Sequence, residues 1–271
     1  MPVLLGDILT RDREKLGAVN LYYLLAHAVG KSREFILAHP EYRVGLRSLI
    51  MWRRLKRRSL RGVPAAYLTG EKEFYGLVFR VNRHTLIPRP ETELVVDEII
   101  KRSPSSLLDM GTGSGCIAVA AAHHLPSCRV TAVDISRRAL SVAARNSMRL
   151  RGKSITFIRS DYFSTLPSGR YEIIASNPPY VREGDVERLS PEVAAYEPSA
   201  ALYGGKDGLY AYRRILGNAR DYLTPAGVLV LEISPEISEA VQYMAKRYGY
   251  RIEQLARDLG SHERMIVLVP G

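Results

Sequence analysis

The chain has 271 residues, 46% hydrophobic and 25% charged, enough for one large domain or two and enough apolar content to bury a core, which excludes a disordered or fibrous protein. Its longest strictly apolar run, Cys116 to Ala122, falls far short of the roughly 18 residues of a membrane span, and Met1 to Arg13 mixes acids and bases without a hydrophobic signal segment, so a cytoplasmic location is expected. The net charge of +11 is uneven: residues 1–90 hold 17 Lys+Arg against 7 Asp+Glu, while residues 91–271 hold 22 against 21. A cationic front third suggests either a polyanionic or acidic macromolecular partner or a solubility surface. Cys116 and Cys128 are too few for a disulfide framework, form no metal-type pair, and read as small buried residues; no metal site is expected.

In chain order, Leu16 to Val29 is apolar at helical spacing through Leu16, Val19, Tyr23 and Ala26, and stops at Gly30. Ser32 is placed to cap a short helix ending before Pro40. A third helix is predicted over Leu46 to Leu60, with Leu46, Leu49, Ile50 and Trp52 as apolar positions and Arg53, Arg54, Lys56, Arg57 and Arg58 as a basic cluster; Gly62 and Pro64 end it. The period then changes to two over Phe74 to Val81, a strand folded into a hairpin through Tyr75-Gly76. Ile87-Pro88-Arg89-Pro90-Glu91-Thr92-Glu93 reads as a stiff link into an apolar helix, Leu94 to Ile100. This divides the chain into a helical segment 1–70, a hairpin and linker 71–90, and a third segment 91–271.

From Ser105 onward strands alternate with helices. The strands predicted are Ser106 to Met110, Arg129 to Val133, Ile155 to Ile158, Tyr171 to Ala175, Val228 to Ile233, Arg251 to Leu255 and Arg264 to Val269, with helices at Cys116 to His124 and Arg137 to Leu150. The alternation predicts an α/β, doubly wound, mostly parallel sheet of Rossmann-like type.

Gly111-Thr112-Gly113-Ser114-Gly115 lies between the first of these strands and its helix, where glycine lets the backbone turn tightly and approach a ligand. The spacing is GxGxG, and Cys116 stands where a dinucleotide fingerprint has its last small residue, which weakens a pyrophosphate reading. Asp134 closes the next strand, at the distance expected of a carboxylate that accepts from ribose hydroxyls. An adenosine-containing ligand follows, with NAD and S-adenosylmethionine both open. Asp161 and Tyr162, after the third strand, suit the adenine edge and face.

Asn177-Pro178-Pro179-Tyr180 follows the fourth strand at the same sheet edge. Asparagine offers an amide oxygen, Pro178 a carbonyl held in stiff backbone, and Tyr180 a flat wall. Such a set suits a planar –NH2 group, with two acceptors for its two hydrogens. It implies in-line displacement at an electrophilic methyl, with the extra proton lost afterwards and no covalent enzyme intermediate. No GxSxG nucleophile elbow is present.

At these residues the chain resembles the class I S-adenosylmethionine-dependent methyltransferases, and more closely the peptide chain release factor N5-glutamine methyltransferases. The resemblance runs through Tyr67 to Phe74, Leu86 to Glu93, the glycine turn, Asn177 to Tyr180, Glu197-Pro198 with Gly204 to Gly208, and Arg257 to Gly260. It departs at Ser234, where the family usually has glycine after the Glu-Ile pair, here Glu232-Ile233. The resemblance implies methyl transfer from S-adenosylmethionine to the glutamine of the release factor's Gly-Gly-Gln motif, and a front segment that recognises the substrate. It assigns Gly111, Thr112, Gly113, Ser114, Gly115, Asp134, Tyr162 and Asn177 to the cofactor, joining Asp161 from the residue reading above, and Asn177, Pro178, Pro179 and Tyr180 to the glutamine, with Asn177, Pro178 and Tyr180 as the catalytic set. The expected partner is a release factor, with nucleic acid not required and a monomer as the acting form. Two alternatives remain at this point: a methyltransferase for an exocyclic amine of nucleic acid, which needs the same –NH2 chemistry, and a non-catalytic RNA-binding protein on the same fold.

Overall fold

A computed structural model describes residues 3–150 and 155–271; residues 1–2 and 151–154, which fall in the expected segments 1–70 and 91–271, lie outside the described residues. The chain forms two compact units, one made of the residues up to Glu71 with Ser190–Tyr196, the other of Lys72–Leu189 with Glu197–Gly271.

The first unit contains α1 (Leu5–Leu16), α2 (Ala18–Val29), α3 (Arg33–Ala38), α4 (Leu46–Ser59) and α5 (Ala65–Thr69). No helix is expected at α1 from the sequence. Its inner face is nevertheless helical in spacing, Leu5, Ile8, Asp12 and Leu16. Asp12 is fully buried there, accepting from Trp52 Nε1 at 3.1 Å, Lys56 Nζ at 2.5 Å and Arg11 Nε at 3.1 Å. Burial pushes its pKa up, but the Arg11 and Lys56 hydrogen bonds outweigh that and hold it at about 2.

Helix α2 ends as predicted at Gly30, which is left-handed (φ 71°) and donates its N–H to the Ala26 carbonyl. Of the apolar positions expected here, Leu16 (on α1) and Ala26 are buried and Tyr23 is partly buried, but Val19 is 80% exposed; Leu21, Leu24, Leu25 and Ala28 are buried as well. Ser32 caps α3, its hydroxyl accepting from Phe35 N–H at 3.2 Å. In α4 the phase is set by Trp52 and Leu55, both buried, and Leu46 and Ile50 of the expected apolar set point to solvent.

The remaining elements are β1 (Glu71–Phe74), β2 (Leu77–Arg80), α6 (Glu93–Arg102), β3 (Ser106–Met110), α7 (Cys116–His124), β4 (Arg129–Asp134), α8 (Arg137–Arg149), β5 (Ile155–Arg159), β6 (Tyr171–Ser176), α9 (Pro191–Tyr196, part of the first unit), α10 (Ser199–Leu202), α11 (Tyr210–Tyr222), β7 (Leu223–Glu232), α12 (Pro235–Arg247), β8 (Tyr250–Arg257) and β9 (Glu263–Pro270). Tyr75 (φ 51°) and Gly76 (φ 68°) are both left-handed, the geometry a two-residue hairpin turn between β1 and β2 requires.

The large sheet has the order β5-β4-β3-β6-β7-β9-β8, parallel except that β9 runs antiparallel to β7 and β8. This is the doubly wound, mostly parallel α/β architecture that the alternation predicts. Neighbouring strand residues face opposite layers: Leu107, Val228 and Val230 pack with α6 and α7, and Leu108, Leu229 and Leu231 with α11 and α12. Met110 lies opposite both Val133 and Ser176, so β3, β4 and β6 end in line and deliver their following loops to one edge. Among the described residues no helix is long and apolar enough to cross a membrane.

Candidate active site

A cavity of about 590 Å³ opens beyond the carboxyl ends of β3, β4, β5 and β6, where the strand order reverses. An open α/β sheet binds ligands at that place.

The glycine turn forms its floor. Gly111 and Thr112 donate their N–H groups to the Val133 carbonyl at 2.8 and 2.9 Å, fastening the turn to β4. Gly111 (φ 75°) and Gly113 (φ 57°) are left-handed; a Cβ would meet nothing within 4 Å at Gly111, and only the Gly111 carbonyl, at 3.9 Å, at Gly113. Their backbone therefore faces open space and line the cavity together with Thr112 and Ser114. Gly115 is not among the residues lining it. A Cβ there would come 3.0 Å from the Ala143 Cβ, so this glycine serves the close packing of α7 on α8.

Asp134 lines the cavity and braces the turn, accepting from Gly113 N–H at 2.9 Å and Ser136 N–H at 2.8 Å; burial raises its pKa. Asp109, beneath the turn, accepts through Oδ2 from Thr112 Oγ1 at 2.6 Å and Ala118 N–H at 3.2 Å, and its Oδ1 has no partner among the described residues. Burial pushes this carboxyl up to about 7.

Asp161 and Tyr162 line the cavity after β5. Arg214 of α11 ties them together, its Nη2 3.3 Å from Asp161 Oδ2 and its guanidinium 5.1 Å from the Tyr162 ring centre. Tyr203 and Tyr210 are further aromatic walls that the sequence reading does not single out.

Asn177, Pro178 and Pro179 line the opposite side. Asn177 Nδ2 donates to Thr92 Oγ1 at 3.0 Å, and Thr92 donates in turn to Glu232 Oε2 at 2.6 Å. The proline pair is braced from behind: Gly204 N–H donates to the Val181 carbonyl at 2.8 Å, and a Cβ on Gly204 or Gly208 would collide with the Pro179 or Tyr180 carbonyl at 2.8 and 2.5 Å. Tyr180 is not among the cavity-lining residues. Its ring is partly buried, packing against the core below α11 and α12, and burial pushes its pKa up to about 12. Cys116 is half-buried at the cavity, not buried as expected, and desolvation, then Asp109, push its thiol up to about 12, so it stays protonated.

The expected linker turns out to be a cavity wall. His84, Thr85, Leu86, Pro88, Arg89 and Thr92 all line the space. Glu197 holds the segment, accepting from Ile87 N–H at 3.1 Å and Arg89 Nη2 at 2.6 Å. Asn146 of α8 donates to the Ser114 carbonyl at 2.8 Å and pairs with both backbone groups of Arg80. Thr92, Glu232, Glu197 and Asn146 carry no motif of their own; Thr92 and Glu197 fall inside the stretches of resemblance, and Glu232 belongs to the Glu-Ile pair just before the departure at Ser234.

The chain matches a PrmC N-terminal domain family model over residues 4–70 and a methyltransferase small domain model over residues 90–193. A solved methyltransferase from Pyrococcus furiosus has the same fold, with a TM-score of 0.58 at 19% identity over 80% of this chain and 98% of that one. A bifunctional methyltransferase from Rickettsia conorii is 34% identical over 91% of this chain, and the chain spans only 53% of that relative's length. A release factor glutamine methyltransferase from Geobacter sulfurreducens is 39% identical over 90% of this chain and 86% of its own length. With both segments of the chain matched and that likeness running almost from end to end, the chain belongs to the release factor glutamine methyltransferase family.

Proposed function

We propose that the protein transfers a methyl group from S-adenosylmethionine to the side-chain amide nitrogen of a glutamine in a peptide chain release factor. The observation that carries this reading is the Asn177 amide, whose Nδ2 is taken by Thr92 and whose Oδ1 is left as an acceptor at the cavity. A neutral acceptor held rigidly beside a proline pair suits the N–H of a carboxamide.

The residues present fit the donor. Gly111 and Gly113 offer backbone where side chains would fill the cradle, Asp134 offers carboxylate oxygen for hydroxyl groups, and Tyr162 offers a ring face. When bound, S-adenosylmethionine supplies a methyl made electrophilic by the sulfonium. The chain's own residues then act on the nucleophile. Asn177 Oδ1 accepts one amide N–H and the Pro178 carbonyl the other, aiming the nitrogen lone pair and returning electron density to it. Orienting two reactants is worth roughly 7–11 kcal/mol, more than the ~10²–10⁴-fold of general base catalysis, so positioning dominates. The N–C bond forms as the C–S bond breaks, and the surplus amide proton leaves to solvent. No nucleophile of the chain takes the methyl, in keeping with the protonated Cys116 thiol.

The helical unit is assigned to substrate recognition. Arg47, Arg53, Arg54, Arg57 and Arg58 are exposed along α4 beside exposed Leu46, Ile50 and Met51, a mixed cationic and apolar face suited to a folded protein partner. A radiolabelled transfer assay offering release factor and RNA side by side tests the proposal. Label on the protein supports it, and label on RNA alone overturns it in favour of an exocyclic-amine substrate.

A further inference from the structure

We propose that Thr92 and Glu232 are positioning residues that set which end of the Asn177 amide faces the cavity, so that turnover requires the ionised form of Glu232. This rests on the glutamine-methylating reading above and deepens it.

Three elements meet here: Asn177 follows β6, Thr92 closes the 3-10 turn Pro90–Thr92, and Glu232 ends β7. Thr92 is 1% and Glu232 3% exposed, so each hydrogen bond has to be satisfied within the cluster. A hydroxyl has one proton, and an ionised carboxylate only accepts. With Glu232 ionised, the Thr92 proton goes to Glu232 Oε2, a charge-assisted bond at 2.6 Å. Thr92 Oγ1 then has only lone pairs to offer, Asn177 has to present Nδ2 to it at 3.0 Å, and Oδ1 is turned to the cavity.

Protonation reverses the chain. The carboxyl of Glu232 donates to Thr92 Oγ1, the Thr92 proton seeks an acceptor, and the Asn177 amide satisfies it by a half-turn that brings Oδ1 to Thr92. Nδ2 then faces the cavity, where it opposes the N–H of an incoming amide.

The surroundings put this change within reach of neutral pH. Burial, aided by Glu91, pushes the Glu232 carboxyl up to about 7, against the Thr92 hydrogen bond and the charges of Arg264 on β9 and Arg89. The other groups facing it are Tyr180, Tyr212 of α11, whose hydroxyl donates to the Glu232 carbonyl at 2.7 Å, and Cys116 of α7; burial keeps all three protonated well above that pH.

The test compares the wild type with Thr92→Ser, Thr92→Val and Glu232→Gln at saturating donor. In the wild type kcat is expected to rise with pH through an apparent pKa near 7. Thr92→Ser keeps the rise and stays within about threefold of wild type, and Thr92→Val loses roughly ten- to a hundredfold in kcat with donor Kd within about twofold and a flat profile. Glu232→Gln, which has no proton to lose, is also flat. Independently of turnover, the Asn177 side-chain ¹⁵N resonance should titrate near neutral pH in wild type and Thr92→Ser and stay fixed in Thr92→Val. Wild-type kcat and pH profile in Thr92→Val, or an Asn177 resonance that does not titrate in the wild type, overturns the role of Thr92 and Glu232 while glutamine methylation stands. A wild type that modifies no glutamine overturns both.

Discussion

Arg89 and Glu197 lie 108 residues apart in sequence, and their side chains meet at 2.6 Å, Nη2 against Oε1. The Glu197 carboxylate is almost wholly buried and its second oxygen accepts from Ile87 N–H at 3.1 Å, so one side chain fixes both the backbone and the charge of the segment that walls the cavity. Glu197→Ala leaves a backbone N–H and a guanidinium without their acceptor, and the expected loss of stability is about 2–3 kcal/mol. Glu197→Gln, which keeps the shape and one acceptor, should cost about half as much. Urea unfolding of the two variants checks the order and the size.

Gly113 and Gly115 of the turn separate by what surrounds them. Gly113→Ala adds a methyl on the open side at φ 57°, so backbone strain of about 1–2 kcal/mol falls on the donor cradle and donor affinity drops. Gly115→Ala drives its methyl 3.0 Å from the Ala143 Cβ and adds the same strain at φ 83°, so this variant loses stability first. Calorimetric titration with the donor beside thermal unfolding distinguishes the two outcomes.

Gly208 makes an analogous case behind the proline pair. An added Cβ would sit 2.5 Å from the Tyr180 carbonyl, and Gly208 is left-handed at φ 77°. Gly208→Ala should shift the backbone of Asn177 to Tyr180 and lower kcat by about tenfold or more, with donor affinity little changed. Turnover and donor Kd measured on the same preparation check this.

Asp109 ties pH to stability. Its folded-state pKa is about 7, well above that of an unfolded carboxyl, so between those values the native chain binds the extra proton. Stability from this group is therefore present at acid pH and lost as pH rises toward and through 7. Asp109→Asn removes that loss, and the variant should gain stability relative to wild type between pH 5 and pH 8. Denaturant unfolding at several pH values in that window reads the difference directly.

Much of this site is legible in the sequence because its signals are local. The glycine turn, the acid closing β4 and the Asn-Pro-Pro-Tyr loop each sit at a strand end, and a parallel sheet brings strand ends to one edge. The partners that hold them are not local: Thr92 lies 85 residues from Asn177 and 140 from Glu232, and Asn146 lies 66 from Arg80. Nothing in periodicity reports such pairs. Helix α1 escapes for a related reason, since Asp12 reads as a surface charge until Trp52 and Lys56, 40 and 44 residues on, are placed beside it. Gly115 lies within the turn that faces the cavity, yet a Cβ there would meet Ala143 and Val119, a packing constraint that the motif does not report.

Mass spectrometry of a Gly-Gly-Gln peptide from a release factor, after incubation with the protein and S-adenosylmethionine, tests the central claim most directly. The expected product carries one methyl on the glutamine side-chain nitrogen, formed by the wild type and largely lost in Asn177→Ala although that variant still binds the donor. An unmodified glutamine with the donor consumed, or a methyl on any other atom of the peptide, contradicts it.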